Sequence, residues 1–241
     1  MLSKITASLI CMDLSDIKTD IDTLLENGIN NLHADFMDNT FVPRLGISPE
    51  LIQWIRKRYG HNINIDSHLM VQNPYDCIDV IAPFSDWVFF HYEAVPDPMR
   101  ILQKIDNVSH AKKGITYNLA TIPKIFPMVD GIMLMGISPG VLGTKSWPSV
   151  VIEKILELRH HDVDANIPVF VDGGVNFKSI KNLTHLWPLR EQDTEEVLYH
   201  GADYVVCGSS TLFKIDDETK GLTRPDMIKY NIKRIKECLN G

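Results

Sequence analysis

The stretch Leu32-His33-Ala34-Asp35-Phe36-Met37-Asp38 decides how this chain is read, because it sets an imidazole and a carboxylate two residues apart in a run of strand-forming residues. Side chains at i and i+2 of a strand share a face. His33 and Asp35 therefore converge on one side, and Leu32, Ala34 and Phe36 on the other. Ile63-Asn64-Ile65-Asp66-Ser67-His68-Leu69-Met70 repeats the arrangement, with Asp66, His68 and Met70 opposite Ile63, Ile65 and Leu69. A third run, Val169-Phe170-Val171-Asp172-Gly173-Gly174, ends an apolar strand in a carboxylate and two glycines. A single histidine or aspartate of this kind is ordinarily a satisfied core or turn residue. Three strand ends that each carry one argue for a common site. His33, Asp35, His68 and Asp172 then form a two-imidazole, two-carboxylate set suited to a divalent transition metal.

Working outward, strands alternate with helices along the whole chain. Ile5 to Ile10 reads as a strand, and Asp13 to Asn27 as a helix that Gly28 stops. After the His33/Asp35 strand and a loop, Ser48 and Pro49 open a second helix that ends at Gly60. Asn73-Pro74 opens another, expected to reach about Ala82. Trp87 to Tyr92 and Lys113 to Asn118 are further strands, the second followed by a short helix from about Thr121. Gly131 to Met135 leads into the loop Gly136 to Thr144, followed by a helix over Pro148 to Arg159. Ile167 to Asp172 and Ala202 to Cys207 complete eight strands, and Pro225 to Leu239 is an amphipathic helix whose packing face is Met227, Ile228, Ile232 and Ile235. Parallel neighbours need crossover connections, which the helices supply. The expected fold is a single-domain α/β protein spanning residues 1–241, a (β/α)8 barrel whose polar strand faces point inward. An open doubly wound sheet competes less well, because it would bury both faces of each strand in apolar packing. The connection over about 177–200 is unusually long, and Pro188 is expected to split it into two short helices.

Composition narrows the function classes. The chain has 241 residues, enough for one such barrel, and its 24 basic against 31 acidic residues give a formal charge of −7. With no basic stripe, a nucleic-acid partner is not expected. Cys11, Cys77, Cys207 and Cys238 form no CxxC pair, as in a reduced cytoplasmic protein. No apolar run approaches the length of a membrane span, and Met1 to Thr6 has no secretory h-region, so a soluble cytoplasmic protein is expected.

Over Ser8 to Phe213 the chain resembles the ribulose-phosphate 3-epimerase family. The likeness lies in SLICMDL from Ser8, HADFMD from His33, FVP from Phe41, DSHLM from Asp66, HYE from His91, Asn118, the Met135 to Gly140 segment, VDGGVN from Val171 and GSS from Gly208. The resemblance implies a ribulose-phosphate-binding barrel with one divalent metal ion per subunit (zinc, iron(II), manganese or cobalt) held by His33, Asp35, His68 and Asp172. Asp35 and Asp172 would also be the catalytic acid/base pair. It further implies a ketose phosphate substrate lying against Met37, Met70 and Met135, touching Ser8, with its phosphate on backbone N–H groups at Gly173, Gly174, Gly208 and Ser209. Gly140 and Gly143 would let the loop after the sixth strand close. The subunits would form a homo-oligomer.

The chemistry implied is inversion at C3, most simply between D-ribulose 5-phosphate and D-xylulose 5-phosphate, through a planar enediolate flanked by two carboxylates. Departures from the family pattern surround the substrate: Asn39-Thr40 after Asp38 in place of glycine-histidine, Arg44 where asparagine is common, and Val141-Leu142 in place of an aromatic-glycine pair. Cys11-Met12-Asp13-Leu14 resembles the allulose-6-phosphate 3-epimerase branch, which makes a hexulose phosphate the alternative substrate. A decarboxylase or aldolase on a related barrel would need a strand-end lysine, and none is present. A sugar-phosphate-binding paralogue without turnover is the alternative of another class.

Overall fold

The computed structural model describes residues 2–140, 148–161, 167–189 and 197–240. Eight parallel strands close into a barrel: β1 (Ile5–Ser8), β2 (Asn31–Met37), β3 (Asn64–Met70), β4 (Trp87–His91), β5 (Lys112–Tyr117), β6 (Gly131–Met135), β7 (Val169–Asp172) and β10 (Tyr204–Cys207), in the ring order β1-β10-β7-β6-β5-β4-β3-β2. Helices α1 (Ile17–Glu26), α2 (Pro49–Tyr59), α4 (Pro98–Val108), α5 (Pro148–His161) and α7 (Arg224–Asn240) pack outside, joined by two shorter ones, α3 (Ile78–Ile81) and α6 (Ile180–Thr184). The terminal helix closes the ring against the first. Met227, Ile228, Ile232 and Ile235 are buried, and Arg224 grips the buried Asp20 carboxylate, with Nη2 2.7 Å from Oδ2 and Nε 3.0 Å from Oδ1.

Period-two alternation along each strand divides the interior into layers. Outward residues such as Leu32, Ala34, Ile65, Leu69, Val88, Phe90, Val169 and Val171 join the main apolar core beneath the helices. The inward set is different. On β4 it is Trp87, Phe89 and His91, and on β7 it is Phe170 and Asp172. Trp87, Phe89, Met133 and Phe170 form a separate buried cluster, with Phe89 and Phe170 ring centroids 4.7 Å apart and Phe170 stacked on Tyr204 at 4.3 Å. This aromatic plug fills the barrel and gives the polar side chains above it a floor.

Three connections differ from the sequence expectation. The helix expected over 73–82 is instead a 3-10 turn at Pro74–Asp76, then α3, then another 3-10 turn at Ala82–Phe84, where Pro83 lacks the N–H that would prolong α3. No helix follows β5 among the described residues. Pro123 and Pro127 interrupt that segment, which is fastened instead by Lys154 Nζ donating to the carbonyls of Asn118 (2.8 Å) and Thr121 (2.7 Å). The long connection carries one helix, α6, and then an antiparallel ribbon of β8 (Leu186–Leu189) and β9 (Val197–His200), rather than two helices. Pro188 is accommodated there because a two-stranded ribbon has open edges, where a missing donor breaks no ladder.

The interior tolerates no added bulk at Gly114 on β5, where a Cβ would lie 2.1 Å from the Phe89 ring. Gly114→Ala is expected to push Phe89 out of the aromatic plug and cost about 1–3 kcal/mol, read as a lowered urea midpoint with an unchanged m-value. A midpoint equal to that of the parent would mean the plug is looser than its contacts indicate.

Candidate metal centre

The site is assembled by strand register. β2 and β3 pair in parallel with Asn31 opposite Asn64, His33 opposite Asp66, Asp35 opposite His68 and Met37 opposite Met70. The sequence order His-x-Asp on one strand and Asp-x-His on the next therefore sets an acid beside an imidazole at each level. Asp172 comes from β7, which stands diametrically opposite β3 in the ring. The acids Asp35 and Asp172 consequently approach the axis from different sides.

His33, Asp35, His68 and Asp172 each offer one ligand atom, and these atoms lie within 4.8 Å of one another. His33 Nε2 is 3.0 Å from Asp35 Oδ1 and 3.6 Å from Asp172 Oδ2. His68 Nδ1 is 3.4 Å from Asp35 Oδ1 and 3.3 Å from Asp172 Oδ2, yet makes no hydrogen bond. All four residues are buried. A fully buried ring nitrogen left without a partner, aimed at two carboxylates and a second imidazole, is what a bound cation would satisfy. The donor set of two nitrogens and two oxygens fits a borderline divalent transition ion.

The electrostatics agree with that fit. Burial disfavours charge on His33, but Asp35, Asp66 and Asp172 outweigh it and hold the imidazole well above its ordinary pKa. Burial opposes charge on His68 too, and is outweighed by the Asp172 and Asp35 carboxylates that face its Nδ1. Burial likewise pushes both acids up, and the neighbouring imidazoles reverse it, so that Asp35 and, further, Asp172 lie below the usual carboxylate range. The cluster thus favours positive charge at its centre.

Outer partners fix which nitrogen of each imidazole faces inward. His33 Nδ1 bonds the Asp66 carboxylate, leaving Nε2 toward the centre. His68 Nε2 lies 2.9 Å from His91 Nε2, and His91 Nδ1 lies 3.3 Å from Glu93 Oε2. Burial lowers His91 to about 4, so it is neutral near pH 7. Glu93 is lowered to about 2: burial opposes ionisation, but bonds from His91, Thr121 and the Asn118 N–H prevail. An ionised Glu93 takes the His91 Nδ1–H, His91 then accepts at Nε2 from His68, and His68 is left with a lone pair on Nδ1. Neither Asp66 nor His91 was assigned to the site from sequence. The signal for each was present in the spacing, Asp66-x-His68 and His91-x-Glu93.

Around this centre a pocket opens at the C-terminal mouth of the barrel. It is lined by Ser8, Cys11, Met37, Arg44, Met70, Met135, Gly140, Gly173, Gly174, Gly208 and Ser209, with Asp35 and Asp172 at its base. Every residue expected to touch substrate lines it except Gly143, which lies outside the described residues, as do Val141 and Leu142. Gly173 and Gly174 follow Asp172 with φ of +92° and +72°, a turn that side chains rarely allow. Replacing Asp66 by alanine is expected to weaken Co²⁺ or Zn²⁺ binding about 10- to 100-fold, measured by competition with a chromogenic chelator. Unchanged affinity would show that His33 needs no outer partner.

Residues 4–186 match the model of the ribulose-phosphate 3-epimerase family. A ribulose-phosphate 3-epimerase of Methanocaldococcus jannaschii is 30% identical over 225 residues, covering 90% of this chain and 87% of its own length. One from Escherichia coli K12 is 32% identical over 214 residues, covering 86% and 87%. Among solved structures, a 3-hexulose-6-phosphate synthase from Salmonella typhimurium has a TM-score of 0.63 at 13% identity, covering 98% of each chain. A native KDPGal structure has a TM-score of 0.61 at 11% identity, covering 98% of this chain and 94% of its own. At such identities these two likenesses speak for the fold.

Proposed function

The chain belongs to the ribulose-phosphate 3-epimerase family, a family of isomerases, and from that premise we propose that it is a metal-dependent ketose-phosphate 3-epimerase, most simply interconverting D-ribulose 5-phosphate and D-xylulose 5-phosphate. The observation that carries the reading is the approach of Asp35 and Asp172 to one centre from different strands, beside two imidazoles, with all four ligand atoms within 4.8 Å. Inversion at a carbon next to a ketone requires a proton to leave one face and another to arrive on the opposite face. Two carboxylates on opposite sides of the reacting carbon do this when they carry one proton between them. One takes the C3 proton, the other donates, and the reverse reaction exchanges their roles.

His33, Asp35, His68 and Asp172 would hold the ion. A divalent cation there supplies Lewis-acid stabilisation of the charge that proton removal leaves on the substrate oxygens, on the order of several kcal/mol. Met37, Met70 and Met135 supply an apolar, polarizable wall without a competing proton. Backbone N–H groups at Gly173, Gly174, Gly208 and Ser209 would take the phosphate. A hexulose phosphate is the second reading, favoured by Cys11 in the pocket wall beside Ser8. Lysine chemistry of the aldolase kind finds no support among the described lining residues, none of which is a lysine.

In deuterated water, ketose phosphate incubated with the metal-loaded protein is expected to acquire label at C3. Asp172→Asn should lower that exchange by about 10²- to 10⁴-fold with an unaltered circular dichroism spectrum. Exchange at the parent rate in the variant would remove Asp172 from proton transfer. Binding of ketose phosphate without exchange, at every metal loading, would favour the paralogue that has lost turnover. Parallel rates for pentulose and hexulose phosphates decide between the two substrates.

A further inference from the structure

We infer that Arg44 is the substrate-specificity residue of this pocket, supplying the positive charge that pairs with the phosphate dianion of the ketose. The inference rests on the epimerase reading for the identity of the ligand. Its geometry is independent of that reading.

The segment between β2 and α2 is a pinned turn. Asp38 accepts from the backbone N–H groups of Thr40 (2.8 Å), Phe41 (2.8 Å) and Gln72 (2.7 Å), and bridges antiparallel to Leu45. Phe41 lies on the His91 ring with centroids 4.8 Å apart, and Val42 is buried against Met37 and Met70. The Arg44 backbone is tied at both ends, its N–H to the Val42 carbonyl (2.8 Å) and its carbonyl to the Asn39 N–H (3.0 Å). The root of the Arg44 side chain is thus fixed, at the rim of the pocket whose base is Asp35 and Asp172. Arg44 is half-buried, and its guanidinium has no hydrogen bond, ion pair or ring contact among the described residues.

That vacancy is unusual here. Arg56 and Arg224 are both engaged by carboxylates, Arg56 with Asp86 at 2.6 Å and Arg224 with Asp20 at 2.7 Å. The acids nearest Arg44 in the pocket are committed to His33 and His68. Arg44 is also the only lysine or arginine among the described lining residues. Charge balance then identifies the partner. The other described side chains of the pocket are acidic or uncharged and backbone amides carry no net charge, so a dianionic substrate entering a protein of formal charge −7 meets one cationic side chain among the described lining residues, Arg44. A guanidinium suits a phosphate because its planar fork donates two parallel N–H bonds.

Calorimetric titration of the metal-loaded parent, Arg44→Met and Arg44→Lys with D-ribulose 5-phosphate and with unphosphorylated D-ribulose tests this. Arg44→Met is expected to raise the Kd for the phosphate ester about 10- to 100-fold while that for the free ketose changes less than about 3-fold. Arg44→Lys, which keeps the charge without the fork, should fall between. In turnover the loss should appear in KM rather than kcat, and the fall of kcat/KM with added salt expected of the parent should flatten. Equal weakening of both ligands would mean Arg44 reads sugar hydroxyls, and no change in either would mean it reads nothing. Each overturns the inference. A parent that binds the ester without epimerising it would sink the proposed reaction and leave the Arg44 comparison intact, whereas a parent that binds neither ligand would overturn both.

Discussion

Two carboxylates brought within a few ångströms of one another inside a barrel lose their hydration and repel, and they stay ionised there only if positive charge is set between them. Asp35 and Asp172 are in that position, and most of the upper interior answers to it. The imidazoles of His33 and His68 stand between the acids, raised toward their charged forms when no cation is bound. Asp66 and the His91–Glu93 pair stand behind the imidazoles and dictate which nitrogen faces the centre. A divalent ion would resolve the same conflict with neutral imidazoles.

Holding this arrangement is a mechanical problem as well as an electrostatic one. The four candidate ligands sit on strands rather than loops, and the β2–β3 register sets His33, Asp35 and His68 level by level. Beneath them the ring cluster of Trp87, Phe89, Phe170 and Tyr204 denies the polar layer any room to sink. Above them the chain turns to shorter-range devices. The Asp38 turn is fastened to β3 through Gln72, and the Gly173-Gly174 pair lets backbone, rather than side chain, face the pocket. The rigid part carries the four candidate ligands, and the loop after β2 carries Asn39, Thr40 and Arg44.

Much of this was legible in the chain. The His-x-Asp and Asp-x-His runs were readable because strand periodicity is two and a closed barrel has a single inside, so equal spacing means equal facing. Readings failed where local propensity was the only guide. Proline marks an interruption without saying what replaces the helix, and at Pro188 the replacement was a strand. Likewise, the residues over 121–130 showed no period at all, and their path is set by Lys154, Glu93 and the Tyr117 hydroxyl, which donates to the Lys124 carbonyl.

By itself, then, the amino-acid order determined the alternation of strand and helix, the barrel, the family and the convergence of four candidate ligands, since each depends on periodicity or on residue type at a strand end. Only the tertiary structure decided that Asp66 and His91 stand behind the imidazoles, and that, among the described residues, His68 Nδ1 has no hydrogen-bond partner and Arg44 lines the pocket unpaired. Those facts depend on distances between strands and loops far apart in the chain, which are fixed by register and packing and leave no trace in local spacing.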